Sequence, residues 1–466
     1  MKVRDRIIIA AFAAVALMGA GCSGTRDLAG PRVSMPTTLA AGYADSLCVA
    51  DKGWWEFYTD TALCSLIDKA LTNNRDLLRA AARVEEAREL LGVAKAQLLP
   101  ELSANLQPTR ETEHYGDVPE ATVKNYFDLK ATVAWEFNLW GSGIQNRRQA
   151  EAQWLATEED KRAMQMSLVA NVASLYYQLK ALQSELAIVR RTLVTRQENV
   201  RYAKLRFEYG AVSEVVYRQA LVEHATTAAL VPGLEHRLTA TNNALGVLLG
   251  ELPGKEYSVG ALDPDDGLNL DVPVGIPSEL LERRPDLRAS EQRLKAAMAG
   301  VGVAYANRFP SLRISFQGGI EAKELADFFK SPYSYTLGSI AGSVFDFGKR
   351  KRRYKAAIAA YDQARLEYEQ DVITAFSEVS DAVSAYRRMC QTVELRTNLR
   401  DAARRYADLA LTNYRGGNLA YIDVLDAQRR YFDAQTSLVN AVRDRYLGLI
   451  NLYKVLGGGW TGGPAA

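Results

Sequence analysis

Asp423 and Asp426 lie three residues apart in a helical pattern and so share one face. Carboxylates placed this way could draw cations toward an opening, or could simply complement the positive end of a helix dipole and face water. They follow Gly416-Gly417, a turn signal matched earlier in the chain by Gly210. The histidines offer less chemistry. His114 falls in a loop pattern, and His224 and His236 come about 120° apart around a helix of about 100° per residue, which makes no metal site. Gly141-Ser142-Gly143 reads as a turn, and the chain carries no recognised nucleophile motif or Walker-type phosphate loop. The expectation is a protein that is not an enzyme and uses neither cofactor nor metal.

The N-terminus carries a different kind of chemistry. Lys2, Arg4 and Arg6 precede an apolar run over residues 7–20, too short to span a bilayer and of signal-peptide length. Met18-Gly19-Ala20-Gly21-Cys22 resembles a lipoprotein cleavage box, with Gly19 where leucine is usual. Cys22 is therefore the expected lipidation site, and acyl chains there would anchor the protein. The alternative is ordinary signal cleavage beside an incidental cysteine. Export permits a Cys48–Cys64 bridge, while Cys390 reads as a small apolar side chain within a helix. A net charge of +2 over 466 residues gives no reason to expect nucleic acid as a partner.

The elements that position these residues are written twice. Asp76, Leu77, Gly92, Ala94 and Pro100 return as Asp286, Leu287, Gly302, Ala304 and Pro310, about 210 positions on. Gly141, Gly210, Leu249 and Gly250 return as Gly348, Gly417, Leu456 and Gly457, about 207 on. The divisions expected are a signal peptide (1–21), an anchored extended segment (22–60), repeat 1 (61–259), a linker (260–276), repeat 2 (277–460) and a tail (461–466).

Residues 147–209 and 349–415 contain no proline or glycine, so each predicts a helix of roughly 95 to 100 Å at about 1.5 Å per residue. Both are too rich in Arg, Glu and Gln to cross a membrane and must pack side by side. Shorter helices are expected over 62–99, 213–249, 277–309 and 419–456, with a kink at Pro232-Gly233 that copy two lacks. Between them the period falls to two. Phe127, Leu129, Ala131, Val133, Trp135 and Phe137 alternate with mostly polar neighbours; Leu102, Ala104, Leu106 and then Leu312, Ile314, Phe316 do the same, and residues 333–345 make a fourth segment. Four strands of about ten residues suit a membrane barrel but cannot close one, because known barrels begin at about eight. Several chains would have to share it, since a bilayer core satisfies no open sheet edge. A soluble sheet capping a helical bundle is the competing reading.

Trp54-Trp55-x-Phe57, Asn74-Arg75-Asp76-Leu77, Phe137-Asn138-Leu139-Trp140-Gly141, Phe345-Asp346-Phe347-Gly348 and residues 421–428 resemble the TolC-type outer membrane factor family, and the lipoprotein-like start resembles its OprM-containing efflux branch. The resemblance implies a mainly α fold with a small β part: a homotrimer whose twelve strands, four per chain, form one outer-membrane barrel continued by a long periplasmic α-helical barrel. It implies an exit duct for small toxic molecules, supplied by an inner-membrane pump of the resistance-nodulation-division (RND) type through a periplasmic adaptor, the membrane fusion protein. A type I protein secretion channel would share this architecture, and a periplasmic coiled-coil scaffold would share its helices. By the same resemblance Asp423 and Asp426 ring a periplasmic gate latched with Tyr414, next to tip turns at Gly210, Gly416 and Gly417. Leu419 stands where some members have Arg, and Val216 is the copy-one equivalent of Asp423. Trp135, Trp140, Lys349, Arg350 and Lys351 read as membrane-interface anchors contacting outer-membrane lipid, the basic run forming a collar at the inner headgroup layer.

Overall fold

The computed structural model describes residues 28–32, 48–113, 122–257, 259–262, 279–342 and 345–460. In chain order these hold α1 (Trp54–Phe57), α2 (Thr61–Asn73), α3 (Arg75–Ala96), β1 (Glu101–Glu113), β2 (Thr122–Phe137), α4 (Ser142–Glu208), α5 (Glu214–Ala228), α6 (Leu230–Leu248), α7 (Glu279–Arg283), α8 (Pro285–Ala306), β3 (Ser311–Ala322), β4 (Pro332–Ala341), α9 (Lys349–Arg415) and α10 (Tyr421–Val455). The expected long helices are α4 and α9, each 67 residues. The chain divides into two compact units, one built from residues 83–158 and 289–370 with 28–32, the other from 48–82, 159–288 and 371–460.

The first unit holds the sheet, antiparallel in the order β1-β2-β3-β4. Its strands run to 13, 16, 12 and 10 residues, mostly longer than the ten expected. Register places Leu102 opposite Val133, Leu106 opposite Leu129 and Val133 opposite Phe316, so one face is apolar across much of β1, β2 and β3, with Ser334 and Thr336 on the same side of β4. That face is uncovered within the chain: Leu102 is 72% exposed and Phe316 51%. The other face carries Asp128, Lys130, Glu136, Arg313 and Gln317. No strand pairs with the outer edge of β1 or β4 among the described residues. Beside the sheet, α4 and α8 approach so closely that a Cβ on Gly302 would lie 2.9 Å from Gln145. The stretch 28–32 lies along α9, where the Tyr361 hydroxyl donates to the Ala29 carbonyl (2.9 Å) and the Arg32 amide donates to Glu369 (2.8 Å).

The second unit shows the duplication in atomic detail. Gly250 and Gly457 take positive φ (69° and 90°) in matched helix-ending turns, with Glu251 N–H bonded to Gly246 C=O and Gly458 N–H to Tyr453 C=O. Each glycine abuts the end of a preceding short helix: a Cβ would meet the Asn73 carbonyl oxygen at 2.6 Å in copy one and the Arg283 carbonyl at 3.0 Å in copy two. The core includes fully buried Leu63, Ile67, Tyr176, Leu179, Leu245, Tyr446 and Leu452. Asp60 caps α2 through the Ala62 amide (3.0 Å) and also accepts from Tyr176 (2.6 Å) and from buried Lys180 (2.9 Å).

Several expectations change. The helix predicted over 62–99 breaks at Asn74, whose backbone turns extended while its side chain accepts the Leu77 amide at 3.0 Å. Its counterpart breaks at Arg284, ahead of Pro285, because the residue before proline disfavours helical geometry. The kink expected at Pro232 falls instead at Ala229, since a proline ring clashes with the carbonyl four residues back, here Ala228. The helix in copy two runs unbroken as α10. Cys48 and Cys64 form no disulfide; the Cys64 thiol donates to the Tyr58 carbonyl at 3.1 Å. His224 and His236 occupy different helices, α5 and α6. Cys22 and His114 lie outside the described residues.

Candidate functional site

In the second unit, α4 and α9 end in the same turn. Gly210 (φ 69°) and Gly417 (φ 79°) reverse the chain, with Ala211 N–H donating to Arg206 C=O (2.7 Å) and Asn418 N–H to Asn413 C=O (3.0 Å). Gly416 precedes the reversal, its N–H on Thr412 C=O at 3.0 Å. Tyr414, in the last turn of α9, packs its ring on Tyr421 of α10 (centroids 5.3 Å apart), and its hydroxyl accepts from Arg206 of α4. One side chain thus ties three helices together. Beneath it, Ala407, Ala410, Val424, Leu425 and Ala427 form a buried cluster that takes in Leu419 and Val216, the copy-one equivalent of Asp423.

The two aspartates differ. Asp423 is half-buried in the first turn of α10, and its carboxylate has no cationic partner among the described residues. Asp426 is held by Arg429 and Arg430, both at 2.7 Å, and the Arg430 guanidinium keeps its carboxyl below the usual range. The sequence reading missed Arg206, Arg429 and Arg430. The last two sit three and four residues beyond Asp426, a spacing that already marks helical ion pairs. Tyr421 was also missed: its buried hydroxyl has no hydrogen-bond partner among the described residues, and burial pushes it up to about 12.

In the first unit, the anchor candidates gather where strands meet helices. Trp135 donates from Nε1 to the Leu98 carbonyl (2.9 Å) and packs on Phe137, and Trp140 donates to the Pro310 carbonyl (2.7 Å) while stacking on Phe309. Each indole satisfies its polar end locally. Lys349 and Lys351 are exposed. Arg350 is tied to Asp346 (3.6 Å) and to the Arg308 carbonyl (3.2 Å), so it braces the strand-to-helix turn. Among the described residues no group of His, Cys, Asp and Glu could hold a metal ion, and no helix is long and apolar enough to cross a membrane.

Residues 66–251 and 276–458 match the family model described as outer membrane efflux protein. The chain belongs to this family. It is 32% identical over 465 residues to the solvent efflux pump outer membrane protein SrpC of Pseudomonas putida, covering 96% of this chain and 97% of that one. To the probable outer membrane lipoprotein SilC of Salmonella typhimurium it is 31% identical over 418 residues, 88% and 89% of the two chains. The solved outer-membrane channel OprN superposes with a TM-score of 0.84 at 29% identity, covering 93% of this chain and 99% of that structure. The protein is an outer-membrane efflux channel with the TolC-like fold, and its family is one of channels, not enzymes.

Proposed function

We propose that three copies join their four-stranded sheets into one twelve-stranded barrel and pass small toxic molecules received from an RND-type inner-membrane pump through a periplasmic adaptor. The reading rests on one observation: a largely apolar-faced sheet whose two outer edges are unpaired among the described residues, and which lipid would leave unsatisfied unless each edge met a neighbouring copy. Relatives named for solvent efflux support an efflux role over protein secretion. Cys22 supplies the acyl anchor. Trp135, Trp140, Lys349 and Lys351 hold the inner interface, with Arg350 bracing them. Neither cofactor nor metal takes part, and the protein catalyses nothing. Asp423, Asp426 and Tyr414 form the gate, in which Asp423 carries most of the uncompensated charge.

Reconstituted in planar bilayers, the protein should conduct ions. Asp423→Ala should lower cation preference more than Asp426→Ala, because two arginines already offset Asp426. Absence of conductance contradicts the channel; unchanged selectivity in Asp423→Ala removes that residue from the gate.

A further inference from the structure

Within the first unit, a cavity of about 640 Å³ opens between α8, α9 and the ends of the strands. Three strand residues line it: Glu136, Ser311 and Ala341. Pairing fixes their side of the sheet. Glu136 faces Arg313, Arg313 faces Ser339, and Ser311 and Ala341 are partners two residues along, so all lie on the polar face, opposite Val133, Ile314 and Phe316. If the apolar face meets lipid, as proposed above, this cavity opens into the conduit.

Its lining is amphiphilic. Val303, Ala304, Phe309, Ala357 and Ala360 give an apolar wall, and Arg350 and Arg353 stand one turn apart on α9 at its margin. Arg350 is engaged with Asp346 and the Arg308 carbonyl. Arg353 is exposed and makes no ion pair or hydrogen bond among the described residues. The opposing charge is Glu136, with Gln149 and Asn307 as neutral polar groups. A guanidinium beside an apolar wall matches a molecule with a planar or aliphatic body and one anionic oxygen group, bound by a charge-assisted hydrogen bond and apolar contact together. We propose that this cavity is a transit subsite for small anionic amphiphiles, with Arg353 as the specificity-determining residue. The inference depends on the channel reading.

The test uses the full-length protein in planar bilayers, with 1-naphthalenesulfonate as probe and uncharged naphthalene as its control. The sulfonate should block single-channel current and naphthalene should not. Arg353→Gln should weaken block about fivefold, the size of one partly exposed charge contact. Glu136→Gln should strengthen it. Lys355→Gln, an exposed change on α9 away from the cavity lining, should leave it unchanged. Conducting channels in which Arg353→Gln blocks like the wild type, or in which Lys355→Gln weakens block equally, overturn the subsite alone. Absence of any channel would overturn the reading beneath it as well.

Discussion

Glu251 shows how a single charge secures a joint within repeat 1. It follows the Gly250 turn and accepts from Lys69 of α2, from Tyr257 and, at 3.1 Å, from Lys255. The Lys69 and Tyr257 bonds hold its carboxyl at about 2, against an ordinary 4.5. A depressed acid contributes stability that is complete above its unfolded value and is lost as pH falls through the folded one. The wild type should therefore lose stability between pH 4.5 and about 2 more steeply than Glu251→Gln. Unfolding midpoints followed by helical circular dichroism at several pH values test this, and parallel curves would show that Glu251 secures nothing. Charge partners of this kind were only partly legible in the sequence. Arg429 and Arg430 could be read from helical spacing, but Lys69 and Glu251 are brought together by folding.

At the scale of elements, the matched turns carry different burdens. Gly210 takes positive φ with open space around its Cβ position, whereas Gly250 takes the same φ with the Asn73 carbonyl oxygen 2.6 Å from that position. Gly210→Ala should cost about 1 kcal/mol, the penalty for a side chain in left-handed backbone. Gly250→Ala should cost about 1–3 kcal/mol more, because its overlap is with backbone, which cannot swing aside. Chemical unfolding of the two variants decides the matter, and equal costs would mean that the Asn73 contact relaxes freely. The long helices were legible because uninterrupted periodicity is a local property, and α9 occupies the expected residues. The break at Asn74 was hidden, since asparagine within a helical pattern serves as a cap only when its side chain finds the Leu77 amide. The Cys48–Cys64 bridge failed for a related reason: export makes a disulfide permissible, but only the fold decides whether two thiols meet.

For the whole molecule, what the chain lacks explains what it does. It presents an apolar sheet face that water disfavours and, among the described residues, leaves β1 and β4 with open outer edges that lipid cannot satisfy, so a single copy suits neither medium. The alternation of Phe127 through Phe137 announced a strand with one apolar face, whereas the need for more than one subunit follows from edge satisfaction and the number three only from the family resemblance. The most direct measurement is the mass of the native assembly after detergent extraction, with its β content followed as surfactant is withdrawn. Three chains per particle, with the sheet lost or the protein precipitated once surfactant is gone, is the predicted result. A water-soluble monomer retaining its full β content would contradict the account.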